Sequence, residues 1–293
     1  EFFKKKIILA AVFLSASLTV LPAVSACISG RTAHPAAEES VGIPIEETTL
    51  ADKLSAEPYL VLDITSGQVM EVPVREYVIG AVCAEMPALF ESEALKAQAV
   101  AAHTYAERQR RIARAQPRSE LCGADFSNDT SKYQGWFTDS QIRHYFGENY
   151  EEYYGKISSA CDEVLDCILT YNDEPIIAAF HSMSGGMTES AENAWGTAVD
   201  YLVPVDSSAD KAAPRYEDEL RIPLTELKTA LEENFGCTDF DEDPVKWVVP
   251  AERSKSGTVL TALAGEKKVT GNEIRTALGL RSADFMVHVE GKD

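Results

Sequence analysis

Between residues 73 and 115 two helical patterns are separated by Met86-Pro87, and no other feature limits the fold as much. At about 100° per residue, Val74, Tyr77, Val78, Ala81 and Val82 form one apolar stripe at i, i+3, i+4, i+7 and i+8. Pro87 disfavours the α conformation at Met86, so the first helix is predicted over Val74 to Glu85. A second is predicted from Glu91 to about Arg114, with acids in its first turn and bases in its last. Ala94, Leu95, Gln98, Ala101, Ala102, Tyr105 and Ala106 share a face of it, and so alanine-rich a seam lets another element approach closely. Lys96, His103 and Glu107 fall on another side, where a solvated ion-pair stripe is the plain reading.

Glu85 falls at i+11, inside the stripe of the first helix and at its C-terminus. Apolar neighbours and the negative end of the helix dipole both disfavour a carboxylate there, so a buried carboxyl with a raised pKa is expected. The alternative is a side chain that bends outward at the helix end into water.

Elsewhere the pattern is mixed. YLVLDITSGQVMEVP reads as a hairpin turning at Ser66-Gly67. A helix is predicted over Ser140 to Ala160, strands near Val164 to Tyr171 and Pro175 to Phe180, and then a Gly-rich loop, HSMSGGMTESAENAWG. Beyond it come an amphipathic helix over Leu224 to Asn234, a strand over Val245 to Pro250 and a turn at Ser256-Gly257. The class is α+β, with helices and short strands in two subdomains around a cleft.

Ahead of this domain, assigned to residues 58–293, lie a linker at 29–57 rich in Ala, Pro, Ser, Thr and Glu and an N-terminal segment at 1–28. EFFKKK precedes a run from Ile7 to Val24 without a charge, near the roughly 17 to 25 residues that cross a bilayer. A retained membrane helix, a lipid on Cys27 after Val24-Ser25-Ala26, and a cleaved signal all fit, and each exports the domain. After Cys27 five cysteines remain, an odd number that implies no disulfide framework. With 27 basic against 47 acidic residues, the charge of −20 repels phosphate backbones and argues against nucleic acid as a partner.

EYVIGAVCAEMPALFESEALKAQAVAAHTYA closely resembles the signature of the stage II sporulation protein D family, also called the amidase-enhancer family. The likeness continues through Asp125, Gln134, EPIIAAFHSMSGGMTESAENAWG, Tyr201-Leu202 and TGNEIRTALGLRSADF. It implies a membrane-anchored lytic transglycosylase of endospore-forming bacteria. Such an enzyme cuts peptide-stripped peptidoglycan during engulfment, needs no cofactor, and works with a sporulation amidase, stage II sporulation protein P, and the membrane protein stage II sporulation protein M. The catalytic acid of the A-E-M-P motif becomes Glu85. Lys96, Gln98, His103 and Gln134 are implied to line or support the cleft, with His181, Ser184, Gly185, Gly186, Thr188 and Tyr201 at or near a loop beside it. That loop is expected either to offer N–H groups to sugar substituents or to be a tight turn. Trp195 is either a sugar-stacking ring or a core residue.

Three departures matter. Positions where many members carry zinc-type ligands hold Leu121, Ser127, Lys132 and Tyr133, so no metal is predicted and packing around Trp136 and Phe137 is expected to hold that loop. His103 replaces the usual Arg, which makes its charge pH-dependent. The chain stops at Asp293, before a further Gly- and His-rich segment of the family, and lacks an initiating Met, so it reads as a fragment. Two competing functions are a noncatalytic glycan-binding partner that stimulates a cell-wall amidase, and a serine hydrolase using Ser184 with His181. A hydrolytic glycosidase would need a second carboxylate, such as Asp125 or Glu189.

Overall fold

The computed structural model describes residues 57–290 and, by its backbone alone, the strand β1 at Lys6–Val12. Of the segment read as an anchor only Lys6–Val12 is described, as a strand and not a helix, and the rest of that reading and the linker up to residue 56, Cys27 included, lie outside the described residues. Among these, no helix is long and apolar enough to cross a membrane. The protein is α+β and divides into two compact units at Ala179 and Phe180.

In the unit ending at Ala179, β2 (Tyr59–Asp63) and β3 (Gln68–Val72) form the expected hairpin, with Tyr59 opposite Val72 and Asp63 opposite Gln68. Its turn closes through Gly67 at φ +72°, a conformation that favours glycine. The short β4 (Phe126–Ser127) runs parallel to β2 on its other edge.

Helix α1 spans Val74–Glu85 and α2 spans Ser92–Ala115, close to the predicted bounds. The extended backbone of Met86, φ −133° and ψ 132°, stops α1 where Pro87 demands it. α1 is buried beyond its stripe: Ile79, Gly80 and Cys83 are covered as well, because α2 and α4 (Tyr150–Glu163) both pack on it. Tyr77 meets Tyr59 and Phe126 at ring separations of 5.1 Å each, which locks the sheet to this helix. Arg75 adds a bidentate pair with Asp162 of α4, at 2.7 and 2.8 Å.

Two predicted elements need correction. The single helix over 140–160 is two, α3 (Asp139–Phe146) and α4, joined by a tight turn at Gly147–Asn149. Gly147 has φ +53°, so the chain leaves the right-handed helix there. The two strands expected between 164 and 180 shrink to β5 (Thr170–Tyr171) and β6 (Glu174–Pro175), a hairpin around Asn172 and Asp173 at φ +50° and +64°. Val164 and Leu165 are buried without a strand partner, whereas Leu169 extends the hairpin, its carbonyl accepting from the Ile176 N–H at 3.0 Å and its N–H donating to Thr104 Oγ1 on α2 at 2.9 Å.

The unit from Phe180 onward has a short helix α5 (Ala191–Trp195), unforeseen inside the Gly-rich stretch and capped by Ser190, whose side chain accepts from the Asn193 N–H. β7 (Glu217–Pro223) and β11 (Asp284–Glu290) both pair antiparallel with β1. β8 (Val248–Arg253), β9 (Val259–Ala264) and β10 (Lys267–Thr270) form an antiparallel sheet in the order β10-β9-β8. β8 starts three residues later than predicted, because a turn at Pro244–Lys246 capped by Asp243 uses up the first part of the run. Leu227 and Leu231 of α6 (Leu224–Phe235), Ile274 of α7 (Gly271–Leu278) and Phe285 centre the core.

Candidate active site

Glu85 is not buried. It is the last residue of α1, exposed, and it lines a cleft of about 730 Å³ within the unit ending at Ala179. The i+11 position points along the buried stripe, but the layer that covers the stripe ends one turn earlier. Its carboxyl is oriented instead by one hydrogen bond, from the Gly135 N–H to Oε1 at 3.0 Å.

Besides Ala84 and Glu85 at the end of α1, three pieces of chain make the cleft. The β2–β3 hairpin contributes Asp63, Thr65 and Met70. The loop before α3 contributes Asn128, Thr130, Tyr133, Gly135, Trp136 and Phe137, and the first turn of α3 contributes Thr138, Ser140 and Gln141. What seats the loop against α1 is Gly80. A Cβ at that position would lie 2.3 Å from the Phe137 carbonyl oxygen and 2.4 Å from Trp136 Nε1, so only glycine admits this approach. The Phe137 N–H donates to the Gly80 carbonyl at 3.1 Å, and the Trp136 ring stacks on Tyr77 at 6.1 Å. Packing around Trp136 and Phe137 thus holds the loop and delivers Gly135 to Glu85.

Asp63 is the second carboxylate of the cleft, and its turn occupies it. It accepts from the Thr65 N–H, the Ser66 N–H and hydroxyl, and Asn128 Nδ2, at 2.6 to 3.2 Å. These bonds, the Ser66 hydroxyl foremost and Asn128 next, hold its pKa at about 2. Neither Asp63 nor Gln141 was singled out from the sequence. Asp63 ahead of Ser66-Gly67 and Thr138 three residues before Gln141 were the legible signals, an Asp-led turn and a capping box.

The other predicted cleft residues of this unit lie away from the lining. Lys96 is clasped by Glu163 at 2.6 Å and Glu93 at 2.9 Å, which raise its pKa. Gln98 is buried in the alanine seam of α2 with its Nε2 unpartnered. His103 is largely covered, 3.8 Å from Glu107; burial lowers its pKa, and Glu107 opposes the shift. The solvated stripe read for Lys96, His103 and Glu107 is therefore half-buried and split in two: Lys96 pairs with Glu163 and Glu93, while Glu107 meets His103 and Arg110 and accepts from Tyr59 at 2.8 Å. Gln134 comes nearest the cleft: its neighbours Tyr133 and Gly135 both line it, its N–H donates to Tyr105 Oη, and its side-chain amide is buried without partners.

At the positions of family zinc ligands, Leu121 is core, Ser127 is buried, Lys132 pairs with Asp129, and Tyr133 accepts from Arg118 at 2.6 Å. Among the described residues no three His, Cys, Asp or Glu side chains are grouped to hold a metal.

In the second unit the Gly-rich loop is closed upon itself. Ser184 is fully buried, and both its N–H and its hydroxyl donate to Asp210 Oδ2 at 2.7 Å. The Gly186 N–H is taken by Ser184 Oγ and the Thr188 N–H by the Val205 carbonyl, while the Gly185 carbonyl accepts from Tyr216. Gly186 sits at φ +99° under the Lys211 side chain, so the tight-turn reading holds and these N–H groups are not on offer. A buried Ser184 bonded to an aspartate excludes it as an accessible nucleophile, and burial lowers the pKa of His181, with Asp210 opposing. Tyr201 is half-buried in the turn after α5, and Trp195 is 43% exposed rather than core. Neither proposed second carboxylate is available. Asp125 is buried, accepting from the Leu60 N–H and Arg114, and Glu189 is buried, accepting from Ser254, Asn193 and the Ser190 N–H.

The family model described as Stage II sporulation protein matches residues 64–171, which contain every residue lining the cleft except Asp63. Stage II sporulation protein D of Bacillus amyloliquefaciens is 36% identical over 245 residues, covering 81% of this chain and 69% of that protein. Its counterpart from Bacillus subtilis (strain 168) is 35% identical over 237 residues, covering 80% and 66%. The amidase enhancer of the same organism is 30% identical over 131 residues, covering 45% of this chain and 15% of that protein. The chain spans about two thirds of the length of the first two relatives.

Proposed function

The chain belongs to the stage II sporulation protein D family, and from that premise we propose that it is a lytic transglycosylase acting on peptide-stripped glycan strands, with Glu85 as its acid and base. The observation that carries the reading is that the cleft holds one uncommitted carboxyl. Hydrolytic glycosidases need two, one to protonate the leaving oxygen and one to activate water or attack the sugar. Asp63 is locked in its turn, which leaves Glu85 alone.

One carboxyl suffices if the sugar supplies its own nucleophile. Glu85 as neutral acid protonates the oxygen joining N-acetylmuramic acid to N-acetylglucosamine, and the bond from muramic C1 to that oxygen breaks. The resulting carboxylate takes the proton of the muramic C6 hydroxyl as O6 bonds to C1. The products are a 1,6-anhydro end and a free N-acetylglucosamine hydroxyl, no water is consumed, and Glu85 regains its proton. Because the fold leaves Glu85 exposed, the glycan itself must displace water from the carboxyl. The Gly135 N–H holds the group in place meanwhile.

Glu85→Gln in the full chain is expected to lower cleavage of peptide-free strands about 10² to 10⁴-fold, with the melting temperature unchanged because the side chain is exposed. Full cleavage by that variant contradicts the assignment. A second reading, a noncatalytic glycan binder that stimulates an amidase, rests on the similarity to the amidase enhancer. It predicts equal stimulation by the parent chain and by Glu85→Gln, with no change in glycan mass. By the same resemblance we propose that the protein acts at the outer face of the septal or engulfing membrane of a sporulating cell, with stage II sporulation proteins P and M as partners.

A further inference from the structure

Tyr145, near the C-terminal end of α3, is 62% exposed, yet its ring is braced on two sides. Phe137 stands 5.4 Å away at 55°, and Phe146, itself buried, stands 5.3 Å away at 49°. Phe146 in turn meets Tyr153 edge-on at 5.4 Å. The exposed face of Tyr145 is therefore held in one orientation without being covered, which preorganises it for a flat partner. Its inner neighbour is no ordinary core residue, since Phe137 lines the Glu85 cleft and its N–H is pinned to Gly80. Gln141 also lines the cleft and lies four helical residues before Tyr145, a rise of about 6 Å, comparable to the length of one sugar. The Gln141 Oε1 is spent on the N–H and hydroxyl of Thr138, which leaves its amide N–H groups as donors for hydroxyls.

We propose that Tyr145 is an outer sugar platform of the cleft, a ring that stacks on a glycan residue beyond those held beside Glu85, with Gln141 bonding the strand between. This rests on the reading of the Glu85 cleft as a glycan site and extends it along α3. A strand is the occupant favoured by continuity, because the aromatic path Phe137–Tyr145 starts inside the cleft and leaves it along a face rimmed by Thr138, Ser140 and Gln141.

The test titrates the full chain carrying Glu85→Gln, so that strands stay whole, with peptide-free glycan oligosaccharides of increasing length. Adding Tyr145→Ala is expected to weaken binding of the long oligosaccharides about tenfold and to leave the shortest ones unaffected, while Tyr145→Phe binds like the parent. Unchanged affinity of Tyr145→Ala at every length overturns the proposal. An equal loss at every length also does, since the ring would then only prop Phe137. Unchanged glycan affinity with lost amidase stimulation would give the ring to a protein partner instead. Binding is read without bond cleavage, so the length effect together with a parent chain, Glu85 intact, that never cuts glycan sinks the transglycosylase reading alone.

Discussion

A carboxyl on the last residue of α1, open to water on one side and bonded to the Gly135 N–H on the other, depends on its neighbours for direction. A Cβ at Gly135 would stand 3.0 Å from Glu85 Oε1. Gly135→Ala is therefore expected to turn the carboxyl and lower kcat on peptide-free strands at least tenfold, with little change in melting temperature. Gly80→Ala acts one step further back. Its methyl would collide with the Phe137 carbonyl and the Trp136 indole, and overpacking of this kind costs about 1 to 3 kcal/mol. Denaturant unfolding should show that loss, together with reduced cleavage because the loop can no longer seat. In the second unit, Ser184→Ala tests the closed loop: it removes both hydrogen bonds of the buried hydroxyl, the one donated to Asp210 and the one accepted from the Gly186 N–H, with an expected cost of about 1 to 3 kcal/mol. Cleavage should survive, whereas loss of a nucleophile would abolish it.

At the scale of elements, α1 and α2 were legible because each repeats its apolar residues at helical spacing, and Pro87 gives α1 a physical stop. The run from Val164 to Phe180 was not, because alternation reports which side chains are covered, and Val164 and Leu165 are covered with no strand beside them. The same limit explains Glu85: periodicity gives a direction on the helix and cannot tell where the covering layer ends. The cleft loop was illegible for a different reason, since its seat is a missing side chain at Gly80, fifty-five residues before Gly135. Helix α3, which forms the third wall, opens with a capping box between Thr138 and Gln141. Thr138→Ala should cost about 1 kcal/mol in denaturant unfolding and weaken glycan binding, because both residues line the cleft.

Across the whole molecule, each unit buries one histidine whose pKa burial lowers, His103 and His181. Folded, these groups resist protonation; unfolded, they titrate near the ordinary value of 6.5. The unfolded chain then binds more protons below that pH, so their contribution is fully present above it and is lost as pH falls through and below 6.5. Unfolding midpoints should drop between pH 7.5 and 5.5, and less so in His103→Gln and His181→Gln. A separate loss at lower pH comes from the carboxylates whose pKa hydrogen bonds depress, Asp63 at about 2 and Glu189 in the second unit.

The central claim is that one carboxyl and the sugar's own C6 hydroxyl do the work of two acids. Mass spectrometry of the fragments released from peptide-free strands tests it most directly: the account predicts ends one water lighter than hydrolysed sugars, carrying 1,6-anhydro rings. Fragments with ordinary reducing ends would contradict it, because they require a water-activating carboxylate that the cleft does not offer.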